Sequence, residues 1–326
     1  MRRLQGARGT ARAAASRLAA SPRGEAAEKR PRTSPTRFPG TLYRGRFAPT
    51  PSGPLHLGSL LTAVASWLDA RAQGGHWAVR VDDLDTPRVA PGAESRILRS
   101  LEAHGLTWDG PVVRQSQHVD RHRDALAELA EYCYACRCSR RDLRGSTTYP
   151  GTCRRLSLPR QGNAIRVRVP VAPIGFEDRI QGPHSENLAT TTGDFVLWRR
   201  DGFASYQLAV VIDDDAMDIN TVVRGADLLD NTPRQLYLLQ RLGRPAPHYA
   251  HVPVVVEATG VKLSKHNAVT AIDDRTARHN VATVLGLLGF DPPWDRVDEM
   301  LDWARRRWDI AAVPSEPAIP GFTALA

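Results

Sequence analysis

The chain has 326 residues, 42% of them apolar and 24% charged, enough for a sizeable core and more than one structural unit and unlike a disordered or collagen-like composition. Its net charge of +9 is a weak sign of nucleic-acid binding, because Met1–Arg37 holds ten Lys/Arg against two Glu and the remainder carries only +1. No apolar run approaches the roughly 18–20 residues of a membrane span, and the start lacks the apolar stretch of a secretory signal.

Residues 1–40 read as a disordered basic extension. Their Arg/Ala/Ser-rich, acid-poor make-up also resembles an organelle transit peptide. However, Lys occurs only at 29, 262 and 265 in a chain otherwise rich in Arg, Ala, Pro and Gly. That bias fits a whole genome better than a targeting signal, so the expected location is the cytoplasm of a bacterium.

Leu42 to Ala48 reads as a short strand. The stretch Gly45 to Ser59 then runs through a turn punctuated by Pro49, Pro51, Gly53 and Pro54. Leu60, Leu61, Val64, Trp67 and Leu68 follow on one face of a 3.6-residue period, and Gly74-Gly75 ends the helix. A helix start of this kind aims N–H groups and a positive dipole end at a ligand, which favours phosphate. His56 sits at the junction, and Gly58 leaves room for close approach. A turn of this kind is also common as a plain connection. His76 to Asp82 alternates as the next strand, giving a βαβ unit with a parallel sheet and right-handed crossover. Ligands of such sheets bind beyond the carboxyl ends of the strands, where the turn and Asp82 to Asp85 both lie.

Helices are expected over Gly92–His104 and Val119–Tyr132. The four cysteines then fall between 133 and 153, which in a chain without a secretion signal reads as a metal site. Cys136, Cys138 and Cys153 offer three soft ligands for tetrahedral zinc, structural because the protein supplies every ligand. On coordination chemistry alone Cys133 is the better fourth ligand, since the phenol of Tyr149 must lose a proton of pKa near about 10.

Ala164–Val169 and Phe176–Ile180 read as strands. Asp194–Trp198 and Phe203–Asp213 flank Asp201-Gly202, a hairpin signal. The nearly continuous apolar run after Tyr206 reads as a buried strand. Val222–Leu229 is a strand ending in a loop. Thr232 is the expected cap of a helix over Pro233–Leu242, with Gly243 beyond its end. In Val261-Lys-Leu-Ser-Lys-His266, Lys262 and Lys265 are placed to clamp a polyphosphate as point charges. The tail reads as helices whose Leu285, Leu287, Leu288, Leu301, Trp303 and Trp308 form the core of a small subdomain.

Pro-x-Gly-x-x-His-x-Gly in the first turn resembles the His-Ile-Gly-His signature of class I aminoacyl-tRNA synthetases, in the glutamate-specific wording Arg-Phe-Ala-Pro-Thr-Pro-Ser-Gly; Ser59 stands at the second His. Lys262 to Lys265 resembles the family's Lys-Met-Ser-Lys-Ser loop. Nearly all of Leu42 to Ile319 is similar to the catalytic domain of glutamyl-tRNA synthetases. Only about sixty residues follow the lysine loop, where a full synthetase carries anticodon-binding helices. The cysteine cluster, Ser59-Leu-Leu, and the closing Arg-Trp-Asp-Ile-Ala-Ala-Val-Pro-Ser-Glu resemble the truncated glutamyl-queuosine branch.

The resemblance implies an α/β fold: a Rossmann-like parallel sheet with a zinc-bearing insertion and a small C-terminal helical subdomain. The expected divisions are a catalytic domain in two halves, 41–132 and 193–260, an insertion over 133–192, and the lysine loop with the helical subdomain over 261–326. It implies activation of glutamate with ATP and magnesium, without tRNA, and transfer to queuosine in tRNA(Asp); the expected state, apart from the resemblance, is a monomer with no membrane partner. His56, Lys265 and Lys262 would be catalytic. Arg46, Phe47, Ala48, Pro49, Thr50, Asp82, Tyr206 and Arg224 would bind glutamate. His56, Gly58, Ser59 and Lys265 would bind ATP. Its cysteine pattern favours Tyr149 as the fourth zinc ligand with Cys136, Cys138 and Cys153. The family usually has Glu where this chain has the shorter Asp82, which bears on glutamate specificity. Charging of a tRNA 3′ end and a non-enzymatic RNA-binding role are the alternatives.

Overall fold

A computed structural model describes residues 42–256 and 271–320. The extension 1–40 and both Lys262 and Lys265 lie outside the described residues.

The expected βαβ unit is present. Strand β1 (Arg44–Phe47), helix α1 (Leu57–Ala72) and strand β2 (His76–Val81) follow in order, and the strands run parallel from Arg44 opposite His76 to Phe47 opposite Val79. Leu60, Leu61, Val64 and Leu68 of α1 are fully buried. The helix ends where Gly74 takes a left-handed φ of 64°. Gly75 follows because a Cβ there would lie 2.7 Å from the Tyr43 carbonyl oxygen. Helix α2 (Ala93–Ala103) leads to β3 (Val113–Arg114), which pairs parallel with β2. Helix α3 (Val119–Glu128) precedes β4 (Cys133–Cys136).

β5 (Ala164–Val167) pairs antiparallel with β4. A hairpin of β6 (Ile174–Asp178) and β7 (Gly182–Glu186) follows, then a single turn, α4 (Leu188–Thr191), and β8 (Phe195–Trp198), which pairs antiparallel with β5. The next run is not a strand. Trp198 and Ala204 make one bridge across the Asp201-Gly202 turn, after which helix α5 spans Tyr206–Ala216. Gln207 to Asp214 are all buried, and a helix buried on every side loses the periodicity that separates it from a strand.

β9 (Thr221–Gly225), α6 (Thr232–Arg241) and β10 (His248–Val252) complete a second sheet in the order β7-β6-β10-β9. Thr232 opens α6 rather than capping it; its hydroxyl accepts a bond from Arg224 at 2.9 Å instead. β9 lies beside β1, where the Asn220 N–H donates to the Arg44 carbonyl at 3.1 Å. β11 (Val254–Val256), α7 (Ala277–Leu287), α8 (Val297–Arg307) and β12 (Ala318–Pro320) close the described chain, with β11 parallel to β12.

Two cores result. One gathers α1, β1 and β2 with Val281, Val284 and Leu285 of α7 and Met300 and Leu301 of α8. The C-terminal helices therefore share the main core instead of enclosing their own. Trp308 stacks on Phe290, and its indole N–H donates to Asp69 of α1 at 3.0 Å. The second core lies between the β4-β5-β8 sheet and helices α3, α5 and α6. The expected boundary at 192 therefore cuts across both sheets: β6 and β7 belong with β9 and β10, and β8 belongs with β4 and β5.

Candidate active site

A cavity of about 350 Å³ opens beyond the carboxyl ends of β1, β2, β9 and β10. Arg46 to Thr50 from the end of β1 and its turn line it, as do His56, Gly58 and Ser59 at the start of α1. Asp82 follows β2, Tyr206 opens α5 and Arg224 projects from β9. Every site residue expected for glutamate or ATP within the described residues thus borders one space. Arg88 and Asp227 also border it and were not foreseen.

The polar wall is a buried network of charges. Asp214 of α5 accepts from Arg46 Nε at 3.1 Å and Nη2 at 3.2 Å, and from Arg80 Nη1 at 2.5 Å. Arg80, fully buried, also donates through Nε to Asp82 at 2.7 Å. Burial opposes ionisation of Asp214, but Arg46 and Arg80 outweigh it and hold its carboxyl below the ordinary value. Burial would equally discharge Arg80, yet Asp82 and Asp214 together raise it well above its usual value. Asp82 goes the other way: burial raises it, and the pull of Arg80 is opposed by the charge of Asp214. Sequence reasoning missed Arg80 and Asp214. The available signal was Arg80 two residues before Asp82 on a strand, hence on the same face.

Arg224 is held differently. Its Nε donates to His251 Nε2 at 3.0 Å, and His251 Nδ1 faces Asp178 at 2.6 Å. That order fixes the imidazole proton on Nδ1, donated to the carboxylate, with Nε2 as acceptor. Burial lowers the His251 pKa and keeps the ring neutral. Arg224 Nη1 is buried and has no partner among the described residues, so the guanidinium presents an unmet donor.

At the other end of the cavity, His56 caps α1. Its Nδ1 accepts from the Ser59 N–H at 3.2 Å, and its Nε2 lies 2.9 Å from Ser59 Oγ. A Cβ on Gly58 would meet the imidazole at 3.4 Å, so the glycine leaves space for that ring.

The cysteines separate as the pleat dictates. Cys133 and Ala135 of β4 face the second core, while Tyr134 and Cys136 face Tyr149 and Cys153. Sγ atoms of Cys136, Cys138 and Cys153 lie within 4.8 Å of one another. Tyr149 Oη is 3.5 Å from Cys136 Sγ and 3.9 Å from Cys138 Sγ, and accepts the Cys153 N–H at 2.9 Å. Cys133 thus lies on the opposite face of the strand from the cluster, and burial pushes its thiol up to about 11. Burial also opposes ionisation of Cys136, but hydrogen bonds from Tyr149 and Arg166 bring it down to about 7. The Arg166 guanidinium sits 3.9 Å over the Tyr149 ring and bonds Cys136 Sγ at 3.3 Å. Three thiols and a phenol converging in this way fit a tetrahedral metal.

The family described as tRNA synthetases class I (E and Q), catalytic domain, matches residues 43–293. The glutamyl-Q tRNA(Asp) synthetase of Ectopseudomonas mendocina is 48% identical over 281 residues, 84% of this chain and 96% of that protein. The protein of the same name from Thiobacillus denitrificans is 49% identical over 289 residues, with the same coverage of 84% and 96%. Among solved structures, the glutamate-tRNA synthetase from Elizabethkingia anophelis is similar with a TM-score of 0.74 and 27% identity, over 87% of this chain and 68% of that one.

Proposed function

The chain belongs to the class I tRNA synthetases of the glutamate and glutamine group, and from that premise we propose that it activates glutamate with ATP and transfers the glutamyl group to queuosine at the wobble position of tRNA(Asp). The observation that carries this reading is the buried wall of the cavity, where Arg46, Asp82 and Arg224 are 4%, 8% and 3% exposed. Two guanidiniums and one carboxylate complement the two carboxylates and one ammonium of glutamate. Arg224 supplies the strongest anion site, because its bonded partners among the described residues, His251, Thr232 and the Leu228 carbonyl, are neutral. Asp82 is drawn back by Arg80, so a bridging water fits between this short side chain and the substrate ammonium. Phe47, Ala48, Pro49, Thr50 and Tyr206 shape the remainder.

In the first step the glutamate α-carboxylate attacks the α-phosphorus of ATP and pyrophosphate leaves. In the second, a cyclopentenediol hydroxyl of queuosine attacks the glutamyl carbonyl, AMP departs with the bonding electron pair, and the hydroxyl proton passes to the departing phosphate and on to solvent. The protein's part is positioning and charge stabilisation. His56, Gly58 and Ser59 bring the start of α1 to the phosphates, and Lys265, helped by Lys262, neutralises the departing pyrophosphate. Bound magnesium supplies further neutralisation of phosphate oxygens. Cys136, Cys138, Cys153 and Tyr149 hold a structural zinc that fixes the β4-β5-β8 lobe.

Charging of a 3′ end is less well supported. The chain spans 96% of the relatives named for glutamyl-Q but only 68% of the glutamate-tRNA synthetase. The proposed enzyme acts as a monomer in the bacterial cytoplasm; none of the described helices is long and apolar enough to cross a membrane. The test uses labelled glutamate, ATP and tRNA from cells with and without queuosine. Label confined to tRNA(Asp) of the first pool is expected; equal label in both pools would replace this reading with 3′-end charging.

A further inference from the structure

A second cavity, of about 280 Å³, lies at the opposite end of the parallel strands. Leu42 and Arg44 at the start of β1, Asn220 just before β9 and Pro247 just before β10 border it. The active-site residues instead follow those strands, so the two spaces are separate. Its size lies just under the small-ligand range of about 300–1,000 Å³, and its wall is mainly apolar, as such pockets require.

Two features of that wall ask for a polar group. Gln235 of α6 borders the cavity, is 1% exposed, and has an Nε2 without a partner among the described residues. A buried amide donor left unmade is costly, and a ligand acceptor would relieve it. Asp214, Asp215 and Asp218 also border the space, against Arg44 alone among cations. Asp214 is engaged by Arg46 and Arg80, and Asp215 by Arg244 at 2.9 Å. The exposed Asp218 appears in none of these pairs and stands at the rim.

A simple carboxylate or phosphate offers no donor to Asp218. An alkylammonium offers nothing to the Gln235 donor. What meets both demands is an apolar body that carries both an acceptor and a donor. We propose that this cavity binds a small planar heterocycle carrying a ring nitrogen and an amino group. The ring nitrogen accepts from Gln235 Nε2, the amino group donates to Asp218 or Asp215, and Ile219, Leu239, Pro245 and Tyr249 cover the flat faces.

Titration calorimetry of the full chain with 4-aminoquinazoline tests this, with glutamate and α,β-methylene ATP at saturation so that the active site is filled. One-to-one binding is expected, weakened roughly threefold or more by Gln235→Leu and also by Asp218→Asn. Quinazoline without the amino group should bind more weakly. Should Gln235→Leu fail to fold, Ile219→Trp at the wall is expected to abolish binding while glutamate-driven ATP–pyrophosphate exchange is retained. No binding by the wild-type chain, displacement by α,β-methylene ATP, or equal affinity in the folded variants would overturn the proposal.

Discussion

Asp214→Asn is the sharpest test of how the glutamate site is built. The carboxylate accepts three charge-assisted hydrogen bonds from two buried arginines. Asparagine keeps the shape but places an amide N–H against one of the arginine donors and removes the charge. Breaking a buried ion pair by removing one partner costs about 3–5 kcal/mol, a large share of the ~5–15 kcal/mol that holds a domain folded. Arg46 also loses one of the two bonds that fix its plane, and a displacement of about 1 Å at a reacting site can cost ~100-fold in rate. We therefore expect a stability loss of about 3–5 kcal/mol in urea unfolding and a fall of ~100-fold in kcat/KM for glutamate, read by ATP–pyrophosphate exchange. The pH dependence has a defined sign. The folded pKa of Asp214 is depressed, so its contribution is present above the ordinary aspartate value of about 4 and is lost as pH falls through the lower folded value. The gap between wild type and variant should be flat near neutrality and narrow under acid. A variant within about 1 kcal/mol of wild type, with glutamate kinetics unchanged, would refute the network as the basis of the site.

Other outcomes follow from the same geometry. Asp82→Ala should raise the KM for glutamate more than about tenfold, the order of one lost hydrogen bond to a charged group; an unchanged KM would remove Asp82 from the site. His251→Leu should raise the KM for glutamate by ~10-fold through the lost acceptor for Arg224, with kcat moving less, and His251→Gln should recover part of it. Burial lowers the folded pKa of His251, so the unfolded chain takes up the proton first as pH drops below about 6.5, and the stability this residue contributes falls on acidification; thermal melts across pH 5–7 should show that slope reduced in His251→Gln. Metal analysis should find one zinc per chain, lost in Cys153→Ser and kept in Cys133→Ser; retention in the first or loss in the second would reassign the ligands.

The first βαβ unit and the cysteine cluster were legible from local signals: glycine and proline turns, a period of 3.6, a group of thiols. The expected residues that border the cavity came mostly from the family resemblance, and they make up only part of its lining. The misreadings arise where burial erases pattern. Helix α5 looked like a strand because Gln207 to Asp214 are buried throughout. Its three successive aspartates, about 100° apart around the axis, reach three different partners: Asp213 meets His122 and Gln115, Asp214 meets Arg46 and Arg80, and Asp215 meets Arg244. Nothing in Asp-Asp-Asp tells which one belongs to the site. The Arg224–His251–Asp178 chain joins β9, β10 and β6, residues far apart in sequence that only the sheet order brings together. Cys133 could be separated from the other cysteines only once the face of β4 was known.

Helix α5 also ties two parts of the molecule that could otherwise have diverged independently. Its first residue, Tyr206, borders the cavity, and Leu208, Ala209, Val211 and Ile212 form the floor on which the β4-β5-β8 lobe rests. The lobe is therefore not a detachable module. A homologue's lobe could be grafted only with a matching α5, and slack introduced around the thiols would be transmitted through that shared floor to the substrate's doorstep.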